Sequence, residues 1–270
     1  FAWADDLKII STVPCMLQRA LDFFSQWVVD WKMDLSLKKC FVYRMGVGLT
    51  PPSYFLAATE LAVNSETAIR DLGIQIDPSL SFRPHVAKAV AKARRSAGFI
   101  LRSFRHSKAE VFGRLFASYV RPILEFGSQL FNGHYAADSN AIERVQKWYT
   151  RRVFRKLGLP KAPYEARMET LKLERLDLRR DLLDLNFAHQ CAGRQQFCPE
   201  LEFAPTSDRY PLSHSNRLKA ERKPKAQRRW FFPNRVARSW NALPVRWTKL
   251  RREAFSHKVR SLLGLPVDFE

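Results

Sequence analysis

Asp5 and Asp6 are the residues of this chain with the plainest capacity for chemistry. They adjoin each other between a short apolar run (Phe1, Ala2, Trp3) and the alternating segment Leu7, Lys8, Ile9, Ile10. Alternation marks extended chain, so the pair is expected at the tight turn of a β-hairpin, with both carboxylates reaching solvent. Hard divalent cations take clustered carboxylate oxygens, and Mg²⁺ typically uses one or two carboxylates plus substrate phosphates. Two such ions about 4 Å apart can clamp both the attacking and the leaving oxygen of a nucleotidyl transfer. An Asp-Asp pair equally suits an ordinary solvated turn, where Asp is common. The pair alone does not separate these two readings; the rest of the chain has to.

Several elements are placed to position the pair. Ser11, Thr12 and Pro14 form a helix-start signal. Leu17, Ala20, Leu21, Phe24, Trp27, Val28 and Trp31 then recur at helical spacing, which predicts a buried stripe. Residues 41–45 and 69–77 read as strands, the second with Gly73 inside it and Pro78 ending it, and residues 46–52 as a loop. From Pro84 onward the chain turns helical. Over 85–105, Val86, Ala89, Val90, Ala93, Ala97, Ile100, Leu101 and Phe104 share one side, while Lys88, Lys92, Arg95 and Arg102 gather on another. Ser107-Lys108-Ala109-Glu110 has the form of a capping box opening a helix that Pro122 closes or kinks. A third helix over 139–157 sets Ile142, Val145, Tyr149, Val153 and Leu157 inward and is crowded elsewhere by Arg144, Lys147, Arg151, Arg152, Arg155 and Lys156. Residues 165–190 form a Leu-rich helical region, 192–228 a polar, basic linker, and 229–270 an aromatic-rich closing unit with a last basic helix. The fold class expected is α+β: a small hairpin-and-helix unit over 1–83 followed by a mostly helical region over 84–191.

Charge separates the same two parts. The net charge is +20. Residues 1–84 hold 8 Lys/Arg against 9 Asp/Glu, and residues 85–270 hold 38 against 17. A strongly basic helical region calls for a polyanion, nucleic acid before an anionic membrane surface. Backbone phosphates read such a stripe by charge rather than sequence, which makes Lys88, Lys92, Arg95, Arg102, Lys147, Arg151 and Arg155 the candidate nucleic-acid contacts. Four scattered cysteines (Cys15, Cys40, Cys191, Cys198), with no apolar run long enough to span a bilayer, point to a reducing intracellular setting, nucleus or cytoplasm. His189, Cys191, Cys198 and His214 are ligand types, but their spacing matches no usual zinc finger. Trp230, Phe231, Phe232 and Trp240 could stack on bases or form a small core.

Several short patterns, in order along the chain, resemble one family. Trp3-Ala4-Asp5-Asp6 is similar to the aromatic-Ala-Asp-Asp box of reverse transcriptases from non-LTR (LINE-type) retrotransposons, with Trp where Tyr or Phe is usual. Leu35-Ser36-Leu37-Lys38-Lys39-Cys40 resembles the Leu-Asn-x-x-Lys-Cys element, with Ser36 in place of Asn. Asp71-Leu72-Gly73-Ile74 with His85, Arg121-Pro122-Ile123-Leu124-Glu125-Phe126-Gly127, Glu143-Arg144-Val145-Gln146 and Trp240-Asn241-Ala242-Leu243-Pro244 resemble successive later segments of the same family. The resemblance covers the late palm, the thumb and the helical region after it.

It implies an RNA-directed DNA polymerase, a nucleotidyltransferase. In it Asp5 would be a shared ligand of two Mg²⁺ ions (Mn²⁺ able to replace them), Asp6 would assist, and Lys39 would lie near the incoming triphosphate. RNA template and DNA primer would be the partners. The fingers and the early palm carboxylate would lie upstream of Phe1, so a fragment that is inactive alone is expected. A non-catalytic nucleic-acid-binding module, or a relic, is the alternative.

Overall fold

The computed structural model describes residues 2–3, 6–46, 52–65, 67–104, 107–193, 201–203, 217–221, 223–224 and 228–266. It is a mixed α+β chain of two compact units, Phe1–Ser81 and Phe82–Glu270.

In the first unit, strand β1 (Ala2–Trp3) pairs antiparallel with β2 (Asp6–Leu7), Trp3 opposite Asp6. Helix α1 (Pro14–Asp30) comes next, with Pro14 in its first turn, where a missing N–H costs nothing. A 3₁₀ turn (Leu37–Lys39) leads into β3 (Phe41–Tyr43). Three further short strands succeed it: β4 (Phe55–Leu56), β5 (Thr59–Glu60) and β6 (Ala62–Asn64). β3 lies parallel to β6, while β4 and β5 form a hairpin. The segment over 69–77, expected as one strand, is also a hairpin, of β7 (Ile69–Asp71) and β8 (Ile74–Ile76). Leu72 (φ 43°) and Gly73 (φ 90°) both take left-handed backbone, the signature of a type I′ turn whose twist matches that of paired strands. Ala57 and Ala58 do the same between β4 and β5.

The unit's small core gathers Leu21 with Tyr54, Leu56 and Leu61. Tyr43 donates its hydroxyl to the Ile76 carbonyl at 2.8 Å, and Lys8 pairs with Asp71. The stripe predicted as buried on α1 is corrected here. Only Leu21 and Val28 of it are buried, and Trp31 is 69% exposed. Each ladder in this unit has only two strands, so the described residues lack a sheet wide enough to cover a five-turn helix.

The second unit is helical. α2 (Arg83–Ser103), α3 (Ala109–Tyr119), α4 (Arg121–Glu125), α5 (Ser128–Phe131) and α6 (Ala136–Lys156) are followed by α7 (Tyr164–Thr170) and α8 (Leu176–Gly193). The helix expected over 165–190 is therefore two helices, broken where Lys172 takes φ 51°. The capping box expected at Ser107 is not formed: Lys108 is the cap residue and donates no side-chain cap. Glu110 turns instead to Lys172, 3.2 Å away. A break at Val120 separates α3 from α4, with Pro122 in the first turn of the new helix.

One core packs α2, α3, α4, α6 and α7 around Phe112, Phe116, Val145 and Tyr149, all with no exposed surface. Tyr149 donates to the Phe112 carbonyl at 2.9 Å, which satisfies a hydroxyl that burial would otherwise penalise. A second core joins the later turns of α8 to α9 (Phe232–Asn241) and α11 (Arg252–Leu262), with α10 (Val245–Thr248) between them. Leu201 and Leu218, from the segment expected as a linker, are buried in it, and Phe203 bridges Leu218 in antiparallel register. α8 is the spine, with Leu176 in the first core and Leu182, Leu185, Ala188 and Cys191 in the second. Among the described residues no helix is long and apolar enough to cross a membrane.

Candidate nucleic-acid interface

α2 carries its cations outward because its inward positions are already filled. Val86, Ala89, Ala93, Ala97 and Ile100 are buried, and the small alanines let neighbouring helices approach closely. Lys88, Lys92, Arg95 and Arg102 are all exposed, and so is Arg94. α6 packs directly on α2 and repeats the pattern. Ile142, Val145, Gln146, Tyr149 and Val153 face inward, while Lys147, Arg151 and Arg155 are exposed with Arg144, Arg152 and Lys156.

Lys147 lies over the Tyr164 ring at 5.1 Å and Arg152 over Trp148 at 5.4 Å. Among the described residues, Lys88, Lys92, Arg95, Arg102, Arg151 and Arg155 have no carboxylate partner. Three other arginines of the unit are paired with carboxylates. Arg179 is held by Glu125 at 2.6 Å and by Glu174, Arg260 also by Glu174, and Arg235 by Asp184 at 2.9 Å. Arg179, Arg235 and Arg260 are thus paired and largely buried, whereas the cations on the outer faces of α2 and α6 are exposed. Phe99, 63% exposed on α2, also belongs to this surface; the apolar pattern does not predict it there, although its helical position does.

The acidic end is less complete. Asp5 lies outside the described residues. Asp6 opens β2 and is exposed, and Lys39 is exposed at the end of the 3₁₀ turn. Among the described residues neither side chain makes an ion pair or hydrogen bond, so no contact joins Lys39 to Asp6. Asp6 offers the hard oxygen that Mg²⁺ prefers. No three of His, Cys, Asp and Glu converge among the described residues.

The ligand types near α8 are spoken for in part. His189 shares its Nε2 with the Leu250 carbonyl at 3.0 Å and stacks on Phe255 at 4.1 Å, and burial holds its pKa below the usual imidazole range. Cys191 is buried, while Cys198 and His214 lie outside the described residues. Of the aromatic group, Trp240 and Phe232 are buried in the second core, whereas Trp230 and Phe231 are partly exposed.

The other motif residues prove to be positioning residues of the fold. Buried His85 meets the Phe126 carbonyl at 3.2 Å, fixing the start of α2 against the α4–α5 turn, where Gly127 takes φ 70°. Glu143 accepts the Tyr164 hydroxyl at 2.5 Å and the Leu176 amide at 3.2 Å, so it satisfies an orphan N–H at the start of α8. Burial raises the Glu143 carboxyl pKa, and the Tyr164 bond opposes that rise. Gln146, fully buried, donates to Tyr164 and to the Glu174 carbonyl at 2.8 Å. Asn241 bonds both the amide and the carbonyl of Leu218 at 2.9 Å, replacing a strand partner.

The chain matches no protein-family profile and no solved structure. It is 24% identical over 145 residues to the uncharacterized protein B0403.1 of Caenorhabditis elegans, a stretch covering 54% of this chain and 73% of that protein.

Proposed function

We propose that this chain is a nucleic-acid-binding part of a non-LTR reverse-transcriptase-type polymerase, whose helical unit holds an RNA template and DNA primer by their phosphates. The observation that carries the reading is the set of unpaired cations on α2 and α6, two packed helices with fully occupied inner faces. A rigid cationic surface of this kind is bound through counterion release, which favours polyanions of high charge density. Supporting the polymerase part is the order of the motifs, from the Asp5–Asp6 pair to the Trp240–Pro244 run. When bound there, Mg²⁺ (or Mn²⁺) would supply Lewis-acid stabilisation of the phosphoryl oxygens, and Asp5 and Asp6 would hold it. Two carboxylates fall short of a two-metal site, so on this reading a further acidic residue completes it. Lys39 would meet the triphosphate only in that completed assembly.

The rival is a binding module without catalysis, favoured by the lack of converging ligands around Asp6 among the described residues. Primer extension on poly(rA)–oligo(dT) with Mg²⁺ or Mn²⁺ tests the two together with binding. Residues 1–270 should bind the template–primer and incorporate only background nucleotide. Replacing Asp5 and Asp6 with Asn should leave affinity unchanged or slightly raised, because it removes negative charge. Robust incorporation by this chain would contradict the half-site, and loss of binding in the Asn variant would contradict a grip made of cations alone.

A further inference from the structure

We infer that the outer face of α2 holds single-stranded nucleic acid, with Phe99 as the platform on which an unpaired base stacks between Lys88, Lys92, Arg95 and Arg102. The inference rests on the proposed nucleic-acid binding and adds the kind of strand this face selects. Phe99 is 63% exposed and belongs to neither hydrophobic core. At 100° per residue it lies about 20° from Lys88 and from Lys92, and about 40° and 60° from Arg95 and Arg102. The ring therefore sits inside the cationic stripe rather than at its border. Among the described residues no ring or guanidinium stacks on it.

Phe is a poorer helix former than the Lys, Arg and Ala around it, and its apolar surface is left in water, so the fold gains nothing by having it there. The backbone at Tyr119 meets the neighbouring turn. Ser96, one turn before Phe99, donates to the Tyr119 carbonyl at 3.3 Å, and Tyr119 is 62% exposed.

Charge alone would suffice for the phosphates of a closed duplex. Exposed rings among cations give a contact that only unstacked bases can use, and every base has a face to offer. From Lys88 to Arg102 the stripe runs about 21 Å, at about 1.5 Å per residue, room for a handful of nucleotides. Lysines and arginines around an aromatic ring also suit an anionic lipid surface. An interfacial helix needs a broad apolar face to embed, however, and that of α2 is buried under α3, α4 and α6.

The test measures binding of the full chain, its Phe99→Ala and its Phe99→Trp variants to labelled oligonucleotides of about 12 residues, single-stranded and duplex, across a salt series. Phe99→Ala should weaken single-strand binding roughly tenfold, barely change duplex binding, and leave the salt slope as it was. Phe99→Trp should retain or improve single-strand binding. Because Phe99 is exposed, both variants should melt like the parent, which separates the effect from misfolding. If Phe99→Ala changes neither ligand, or weakens both alike, the stacking platform is refuted while the phosphate-binding reading stands. Failure of the parent chain to bind any oligonucleotide would refute the reading beneath it. Binding to phosphatidylserine vesicles in preference to oligonucleotides, and lost with Phe99, would assign this face to lipid and overturn the inference.

Discussion

Replacing Arg235 with Ala is expected to cost about 3–5 kcal/mol of stability, the range for breaking a buried ion pair from one side. Arg235 makes four hydrogen bonds to three acceptors from α9. It donates to Asp184 from Nε at 3.2 Å and Nη2 at 2.9 Å, to the Gln129 carbonyl at 3.0 Å, and to the Trp230 carbonyl at 2.9 Å. It thereby ties the second core to α5 and α8. Asp184, 4% exposed, would be left with the Asn132 amide at 2.8 Å as its remaining bond. Asn132 is shared with Asp181 at 3.0 Å and with buried Arg180 at 3.2 Å, so it cannot turn to compensate.

Burial already raises the Asp184 pKa, and Arg235 is the chief group opposing that rise. Without the guanidinium the carboxyl pKa goes higher still in the folded chain, so the folded state takes up its proton first as pH falls. The variant should therefore recover part of its deficit on mild acidification, and lose most on going to neutral pH. Thermal melting at two pH values reads both effects, with a shift of roughly 10 °C at neutral pH. Arg235→Lys should fall between, since an ammonium keeps the charge but not the fork that reaches separate acceptors.

Gly113→Ala is expected to destabilise the chain by about 2 kcal/mol or more, opposite in sign to the usual gain from removing a mid-helix glycine. Gly113 lies in the middle of α3, where Ala would favour the helix by about 1 kcal/mol in isolation. A Cβ there would meet the Leu171 carbonyl oxygen at 1.9 Å and its carbon at 2.9 Å. Both are backbone atoms at the end of α7, and Leu171 itself is buried in the first core. Neither can step aside as a side chain would, so the helices must separate and the packing of Phe112 and Phe116 goes with them. A chemical-denaturation midpoint that rises in Gly113→Ala would show that α3 and α7 are not in this close contact.

Much of this architecture is legible in the sequence where long periodic segments carry it. α2 and α6 follow from their apolar spacing, and the outward cations follow from what the inward positions leave over. The α+β class follows from the change of period near Pro84. What escapes are elements whose geometry depends on partners far along the chain. The Ala57–Ala58 turn carries no turn-forming residue, yet both residues take left-handed backbone because the β4–β5 pairing requires it. Leu72-Gly73 looks like strand interior because the hydrophobics on both sides continue through it. Ser107 and Glu110 have the spacing of a capping box, but Lys172 takes Glu110 instead. The α1 stripe has core periodicity and mostly lacks a core, since periodicity reports which side is apolar and not whether anything covers it. Phe99 escapes for the opposite reason, as a lone aromatic among charges that contributes to no apolar stripe.

The acidic end is legible by resemblance more than by physics. The pairing of Trp3 with Asp6 is the hairpin expected around the acidic pair, while Asp5 lies outside the described residues. The later motif residues (His85, Glu125, Glu143, Gln146, Asn241) turn out to hold helix ends and turns in place. Such positions are constrained by packing and hydrogen bonding whatever ligand the surface takes.

If the unpaired cations of α2 and α6 grip nucleic acid, the salt dependence of binding will reveal it. The intact chain should bind an oligonucleotide with log affinity falling linearly and steeply as log salt rises. Replacing Lys88, Lys92, Arg95 and Arg102 together with Gln should reduce that slope by about 3–4, nearly one for each phosphate contact removed, with thermal stability unchanged. An affinity that ignores salt, or a slope untouched by the four substitutions, would contradict such a grip.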